Sequence, residues 1–237
     1  MTRFLTCLMV VAGVAHAGQF SFDSRFTNAH LADLGEALAD LLAFPNLTTA
    51  KPAGLHGFEA MGGVGGVRVS AREGWYRYAL EQERWLGVLS APRVVVRKGL
   101  LAGVTLGAQY GRFAGEPFWG GEVRWSLYPG GAIWPAVALG AGYSWLANSL
   151  VDFGVGEVRL VLSKGFVLLT PYAGLGVRHQ RLEAKFGEPV PRWHQTEGSR
   201  AVVTAGVVMY PLPLVRLVAE ARKGFATTFA VAVGVAL

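Results

Sequence analysis

The residues of this chain best equipped for chemistry lie in one short polar stretch. His179, Glu183, His194, Glu197 and Ser199 bring imidazole, carboxylate and hydroxyl groups together there. A serine becomes a nucleophile when an imidazole takes its proton and a carboxylate orients that imidazole, and the outcome is acyl transfer or ester hydrolysis. Histidines in an exposed loop are also ordinary, so the chain is read as a non-enzyme, with a lipid hydrolase or acyltransferase as the alternative. Gly62-Gly63-Val64-Gly65-Gly66 resembles a phosphate loop only superficially, because no Lys-Ser/Thr pair and no helix follow it. No metal-ligand spacing is visible, and no cofactor is expected. The single cysteine, Cys7, lies in the first apolar run, so thiol chemistry and disulfides are excluded from the chain beyond it.

The chain that carries these side chains divides into three parts. Met1-Thr2-Arg3, the apolar run Phe4 to Val14 and Ala15-His16-Ala17 have the order of an export signal, giving residues 1–17 as a signal peptide. Residues 18–57 are expected to form a periplasmic helix and linker. Leu31, Leu34, Leu38, Leu41 and Leu42 recur at helical spacing opposite Asp33, Glu36 and Asp40, started by Thr27 or Asn28 and stopped by Pro45. An acidic polar face is not that of a helix lying on anionic lipid, so packing against the rest of the protein, as a plug, is preferred.

From Phe58 to Leu237 the hydropathy alternates with period two. Strands are read at 58–70, 92–98, 101–113, 118–128, 133–146, 151–162, 167–183, 199–210, 214–222 and 226–237. Their large apolar residues share one parity and their small residues the other. Ile133, Val137, Leu139, Tyr143 and Trp145 alternate with Ala136, Ala138, Gly140, Gly142 and Ser144. A soluble sheet hides its large face; here the small face is the one suited to a crowded interior, leaving the large one for hydrocarbon. Lipid offers backbone groups no hydrogen bonds, so strands span it only as a closed ring. The expected fold is therefore all-β, a closed antiparallel transmembrane β-barrel of about ten strands with a short N-terminal amphipathic helix, occupying residues 58–237. A soluble periplasmic β-sandwich is the rival.

The same parity assigns the charges. Arg68, Arg93, Arg97, Glu122, Arg124, Glu157, Arg159, Arg178, Arg216, Glu220 and Arg222 fall on the small-residue face and are expected to line the lumen as a buried ionic network. A charge facing lipid at the midplane would cost about 2 to 4 kcal/mol. In 151–162 the pattern conflicts, because Val151, Phe153 and Val155 share parity with Glu157 and Arg159; a bulge near Gly154 or Gly156 is expected to separate them. Trp119, Trp125, Tyr128, Trp134, Tyr143, Trp145, Phe166, Tyr172 and Tyr210 are assigned to two interfacial girdles. Gly99, Gly165 and Gly224 recur in Lys-Gly turns, read as positions that need positive φ. With the helix and first strand starting on one side, an even strand count returns the C-terminus to that side.

Formal charge is +6 over the whole chain. The basic residues are scattered singly through apolar segments, so nucleic acid is excluded as a partner. The signal segment, the alternating strands and the apolar last strand together resemble the bacterial outer-membrane β-barrel proteins. That family ends in an alternating strand finishing on an aromatic residue, whereas this chain ends on Leu237 with Phe229 on the same face. The acidic helix, the Lys-Gly turn before a glycine-rich strand, and Ser163-Lys164-Gly165-Phe166 followed by Thr170-Pro171-Tyr172-Ala173-Gly174 resemble one group of small outer-membrane barrels. The resemblance implies the outer membrane as location. It implies outer-membrane lipids and the barrel-assembly machinery as partners, and a narrow channel or binding barrel for a small anionic or lipidic solute as function.

Overall fold

Alternating environments along each strand close this chain into a ring. In the computed structural model, which describes residues 19–68, 78–79, 88–187 and 189–237, helix α1 (Asn28–Leu42) precedes ten strands. These are β1 (Phe58–Arg68), β2 (Val88–Gly99), β3 (Val104–Phe113), β4 (Glu116–Tyr128), β5 (Ala136–Ala147), β6 (Val151–Ser163), β7 (Leu169–Phe186), β8 (Arg192–Leu212), β9 (Val215–Lys223) and β10 (Thr227–Ala236). Each strand pairs antiparallel with its sequence neighbour, and β1 pairs with β10, so no edge is left open. The closed antiparallel barrel of ten strands with an N-terminal helix is the fold that the alternation predicts. Residues 1–17, read from the sequence as a signal peptide, and most of the connection 71–91 lie outside the described residues.

The ring has two unlike ends. At one, β2–β3, β4–β5, β6–β7 and β8–β9 are joined by turns, and Phe58 and Leu237 exchange backbone hydrogen bonds of 2.9 and 2.8 Å. The other, the hairpin end, carries the β1–β2 connection and the β7–β8 hairpin, whose strands are 18 and 21 residues long. Val123, Trp125, Leu139, Tyr143, Trp145, Val158, Leu160, Leu175, Val177, Val203 and Phe229 are exposed on the outside, while the opposite parity faces in. On β8 the outward apolar run from Ala201 to Pro211 spans roughly 23 Å along the barrel axis at ordinary strand rise and tilt, matching a membrane-spanning belt. Beyond Val177 and Ala201 the outer wall becomes polar, so the last part of this hairpin stands clear of the belt.

Tyr172 and Tyr210 do not join a girdle. Tyr172 is buried inside, where its hydroxyl donates to Glu220 at 2.7 Å, and Arg216 lies over the Tyr210 ring. Strand β6 also differs from expectation: its pairing with β5 and β7 runs without a bulge. Val151, Phe153 and Val155 do face inward, together with Glu157 and Arg159. The reason is the helix. The inside of the barrel at the hairpin end is not small and polar; it is an apolar socket in which Leu89, Phe113, Phe118, Leu146, Phe153 and Leu182 pack on the leucine face of α1.

Candidate functional site

The lumen is filled by the chain's own N-terminal segment, which enters from the hairpin end. Ser21 and Asp23 donate their backbone N–H groups to Ala79 and Tyr78 at 3.0 and 2.9 Å. Phe20 meets Phe113 edge-on, and Phe26 packs edge-on against Phe186. Asp23 is part-exposed, and hydrogen bonds from the Arg25 side chain and backbone hold its carboxyl well below the usual carboxylate range. Thr27 then caps α1 reciprocally with His30: the His30 N–H donates to Thr27 Oγ1, and the Thr27 N–H donates to His30 Nδ1 at 3.2 Å. The helix descends the lumen and ends at Leu42, ahead of Pro45. An extended stretch continues to the turn end, where the Gly99 N–H reaches Gly57 O at 2.9 Å and Lys98 Nζ reaches Leu55 O at 2.9 Å. Helix and first strand thus start at opposite ends of the ring, not at the same end as the parity argument had them.

A helix that ends inside a barrel leaves carbonyls that no further turn can satisfy, and burying them bare costs about 1–3 kcal/mol each. The wall meets this demand residue by residue. Six consecutive carbonyls, Leu41 through Asn46, each accept a hydrogen bond from a strand side chain. Arg93 serves Leu41 and Ala43, Gln109 serves Leu42 at 3.2 Å, Arg159 serves Phe44, and Arg97 serves Pro45 and Asn46 at 2.9 and 2.8 Å. Arg124 adds a 2.8 Å bond to Asn46 Oδ1. Guanidinium groups suit the place twice over, since each forks to two acceptors and the helix C-terminus carries partial negative charge. Further on, the Leu47 N–H donates to Glu220 at 3.0 Å, the Ala50 N–H to Ser163 Oγ at 2.9 Å, and Ser126 Oγ to Ala50 O at 3.0 Å.

Carboxylates hold two of the same guanidiniums, Arg97 and Arg159, in place, and pair with others of the lumen. Glu122 receives Arg97 at 2.9 Å and Arg159 on its other oxygen; Glu157 receives Arg159 at 3.3 Å and Arg222. Glu59 pairs with Arg216 at 2.7 Å. From the segment, Asp40 and Glu36 both grip Arg178, and Arg200 joins Glu36 at 3.1 Å. Of the residues assigned to the lumen from sequence, Arg93, Arg97, Glu122, Arg124, Glu157, Arg159, Arg178, Glu220 and Arg222 are buried inside, and Arg216 is part-buried there. Arg68 is exposed at the last position of β1, on the parity opposite to inward-facing Met61 and Val67. Sequence reasoning did not single out Glu59, Gln109 or the segment's own Glu36, Asp40 and Asn46 as parts of this network. The acidic face of α1 was the available signal, because a carboxylate inside a barrel calls for a cation opposite.

Of the three glycines in the Lys-Gly turns, Gly99 and Gly224 make room for the segment. None of the three is at positive φ. A side chain on Gly99 would run into the Gly54 carbonyl, and one on Gly224 into the Asp40 carboxylate. Gly224→Val is therefore expected to push Asp40 off the Ala226 N–H, which it now accepts at 2.7 Å. The measurable result is faster proteolysis of residues 28–50 in a barrel that still forms.

The hydrolase group does not assemble. His179 Nδ1 and Ser199 Oγ lie 2.9 Å apart on the outer wall. His194 has the other parity and stacks on Phe186 at 4.1 Å between centroids. Glu183 and Glu197 both turn to Arg181, at 3.1 Å and 3.8 Å, leaving the His–Ser pair without an orienting carboxylate among the described contacts. Among the described residues no cluster of His, Cys, Asp and Glu could hold a metal ion.

Closure without an edge, an outward apolar belt and an ion-filled interior define the class: a small barrel of the outer-membrane type. No protein-family model matches the chain, and no curated protein matches it. Among solved structures it is similar to the N-terminal β-barrel domain of Pseudomonas aeruginosa OprF, at 13% identity and a TM-score of 0.39, over 76% of this chain and 97% of that one. It is also similar to Ail of Yersinia pestis, solved with the heparin analogue sucrose octasulfate, at 12% identity and a TM-score of 0.38, over 77% of this chain and 99% of that one. The Neisserial surface protein NspA stands at 12% identity and a TM-score of 0.36, over 76% and 96% of the two chains. No residue role passes from these proteins to this one.

Proposed function

We propose that the chain is an outer-membrane β-barrel sealed by its own N-terminal segment, exported by residues 1–17, and that it is a closed wall protein rather than an open pore or an enzyme. The observation that carries this reading is the row of six carbonyls, Leu41 to Asn46, each taken up by the wall. A cavity of about 20 Å³ between Arg93, Thr228, Leu41 and Pro45 has room for about one water molecule. An even strand count puts the start of β1 and the end of β10 on one side; with that short-turn side at the periplasm, the long β7–β8 hairpin faces outward. The segment then starts at the cell exterior and crosses the lumen to reach β1. Outer-membrane lipids surround the belt, and the barrel-assembly machinery receives the last strand during biogenesis.

Purified protein in planar bilayers is expected to give no steady conductance, and heating is expected to shift its mobility on gels; open channels in the untreated protein would overturn the sealed reading. Val158, exposed on the outer wall of β6, tests the belt separately. Val158→Arg is expected to lower stability in bilayers by about 2–4 kcal/mol; an unchanged unfolding midpoint would place that face in water. The His179–Ser199 bond keeps one second reading, a lipid hydrolase on the outer wall. Phospholipid turnover by the native protein, lost in Ser199→Ala, would establish it in place of the non-enzymatic one.

A further inference from the structure

The wall and its occupant are not balanced in charge. Among the described residues, seven arginines of the strands face the lumen with four glutamates, Glu59, Glu122, Glu157 and Glu220. Five of the arginines have a carboxylate partner; Arg93 and Arg124 have none. What these two hold is neutral: Arg93 takes main-chain carbonyls and Gln109 Oε1, and Arg124 takes Asn46 Oδ1. Each also keeps a buried donor without an acceptor, Nε on Arg93 and Nη1 on Arg124, and Arg97 Nη1 is in the same position. A buried guanidinium met only by carbonyl dipoles has an unmet preference for full negative charge.

We propose that the barrel wall is an anion-selective lining, with Arg93 and Arg124 as its selectivity-determining residues, and that the stretch Leu41 to Asn46 occupies this lining as a carbonyl stand-in for a small anion. The proposal rests on the sealed-barrel reading. The segment supplies acceptors in the places an anion would supply them, and its own acids, Glu36 and Asp40, are spent on Arg178 and Arg200. The stretch from Ala43 onward is non-helical and held largely by hydrogen bonds to the wall, which water or an oxyanion can replace in kind. When the occupant withdraws, the wall presents an excess of three positive charges, counted as seven Arg less four Glu. In a narrow low-dielectric tube such an excess admits chloride or phosphate and repels cations.

The test uses the full chain in a planar bilayer under a KCl gradient, with moderate urea added to loosen the segment while the barrel persists. Channels are expected to open reversibly, with a reversal potential on the chloride side of zero. Replacing chloride by gluconate should cut the current several-fold, whereas replacing potassium by a bulky organic cation should change it little. Arg93→Gln with Arg124→Gln should remove most of the offset in reversal potential; the salt substitutions give the answer on the native chain even if that variant does not fold. A cation-selective or unselective channel overturns the proposal, as does silence in urea from a barrel that stays heat-modifiable.

A disulfide lock separates this outcome from failure of the sealed reading. A Cβ on Gly35 would lie 3.5 Å from Leu182 Cβ, at the near edge of disulfide range, and Cys7 is the only native cysteine. The oxidised Gly35→Cys, Leu182→Cys protein should stay silent in urea and open on reduction. Conduction through the oxidised protein before any urea would instead show that the segment never sealed the lumen.

Discussion

Glu122→Gln is expected to destabilise the folded barrel by about 3–5 kcal/mol, the loss found when one partner of a buried ion pair is removed. Glu122 is buried and receives two guanidiniums, Arg97 on one oxygen and Arg159 on the other. The amide keeps one acceptor but removes the charge, so two buried cations would face each other with half their compensation gone. Apart from the Arg159 bond to Glu157, their other hydrogen bonds go to the carbonyls of Phe44, Pro45 and Asn46, so the disturbance should travel into the segment. Urea unfolding in detergent, followed by gel mobility without boiling, gives the midpoint. Limited proteolysis should show residues 41–50 becoming cleavable before the strands do. A midpoint within experimental scatter of the parent would mean that the wall relaxes around the amide and that the network is worth little.

Much of this architecture was open to reading because a strand residue has only two possible environments. The parity that sets Val137, Leu139, Tyr143 and Trp145 outward sets Glu157 and Arg159 inward, and all ten strands follow from it. The mismatch in β6 has its physical origin in the segment inside the ring. Inward-facing Val151 and Phe153 looked misplaced against a lumen of small residues, but an apolar helix face inside the barrel needs an apolar socket. Period-two arithmetic counts two faces and has no place for a third partner. Tyr172 was assigned to a girdle because its ring suits an interface; a carboxylate, Glu220, satisfies its hydroxyl inside instead. In β1 glycines occur on both faces, so parity gave little purchase on Arg68, and at the strand's last residue no lipid penalty forces it inward. The site was half legible in the same sense. Inward arginines could be read off the strands, but Arg93, Arg97 and Arg159 reach the segment through its backbone carbonyls, which every residue carries and no sequence marks.

Arg178→Met should cost a similar amount, about 3–5 kcal/mol, but by a different route. Arg178 is fully buried and joins the wall to the helix through Asp40 and Glu36. Glu36 keeps Arg200 at 3.1 Å when Arg178 is gone, whereas Asp40 keeps only the Ala226 N–H at 2.7 Å among its described partners. The uncompensated charge therefore falls on Asp40, and neutralising it should return part of the loss. A double-mutant cycle with Asp40→Asn isolates the coupling: the double variant should be more stable than Arg178→Met alone by at least about 1.5 kcal/mol, the lower end for one hydrogen bond to a charged group. The same cycle built on Glu36→Gln should return less, because Arg200 stays with that side chain. Equal recovery from the two acids would mean that the helix is held by its leucine face and that the ion pairs merely follow it, and the lumen arginines would then lose their standing as the clamp.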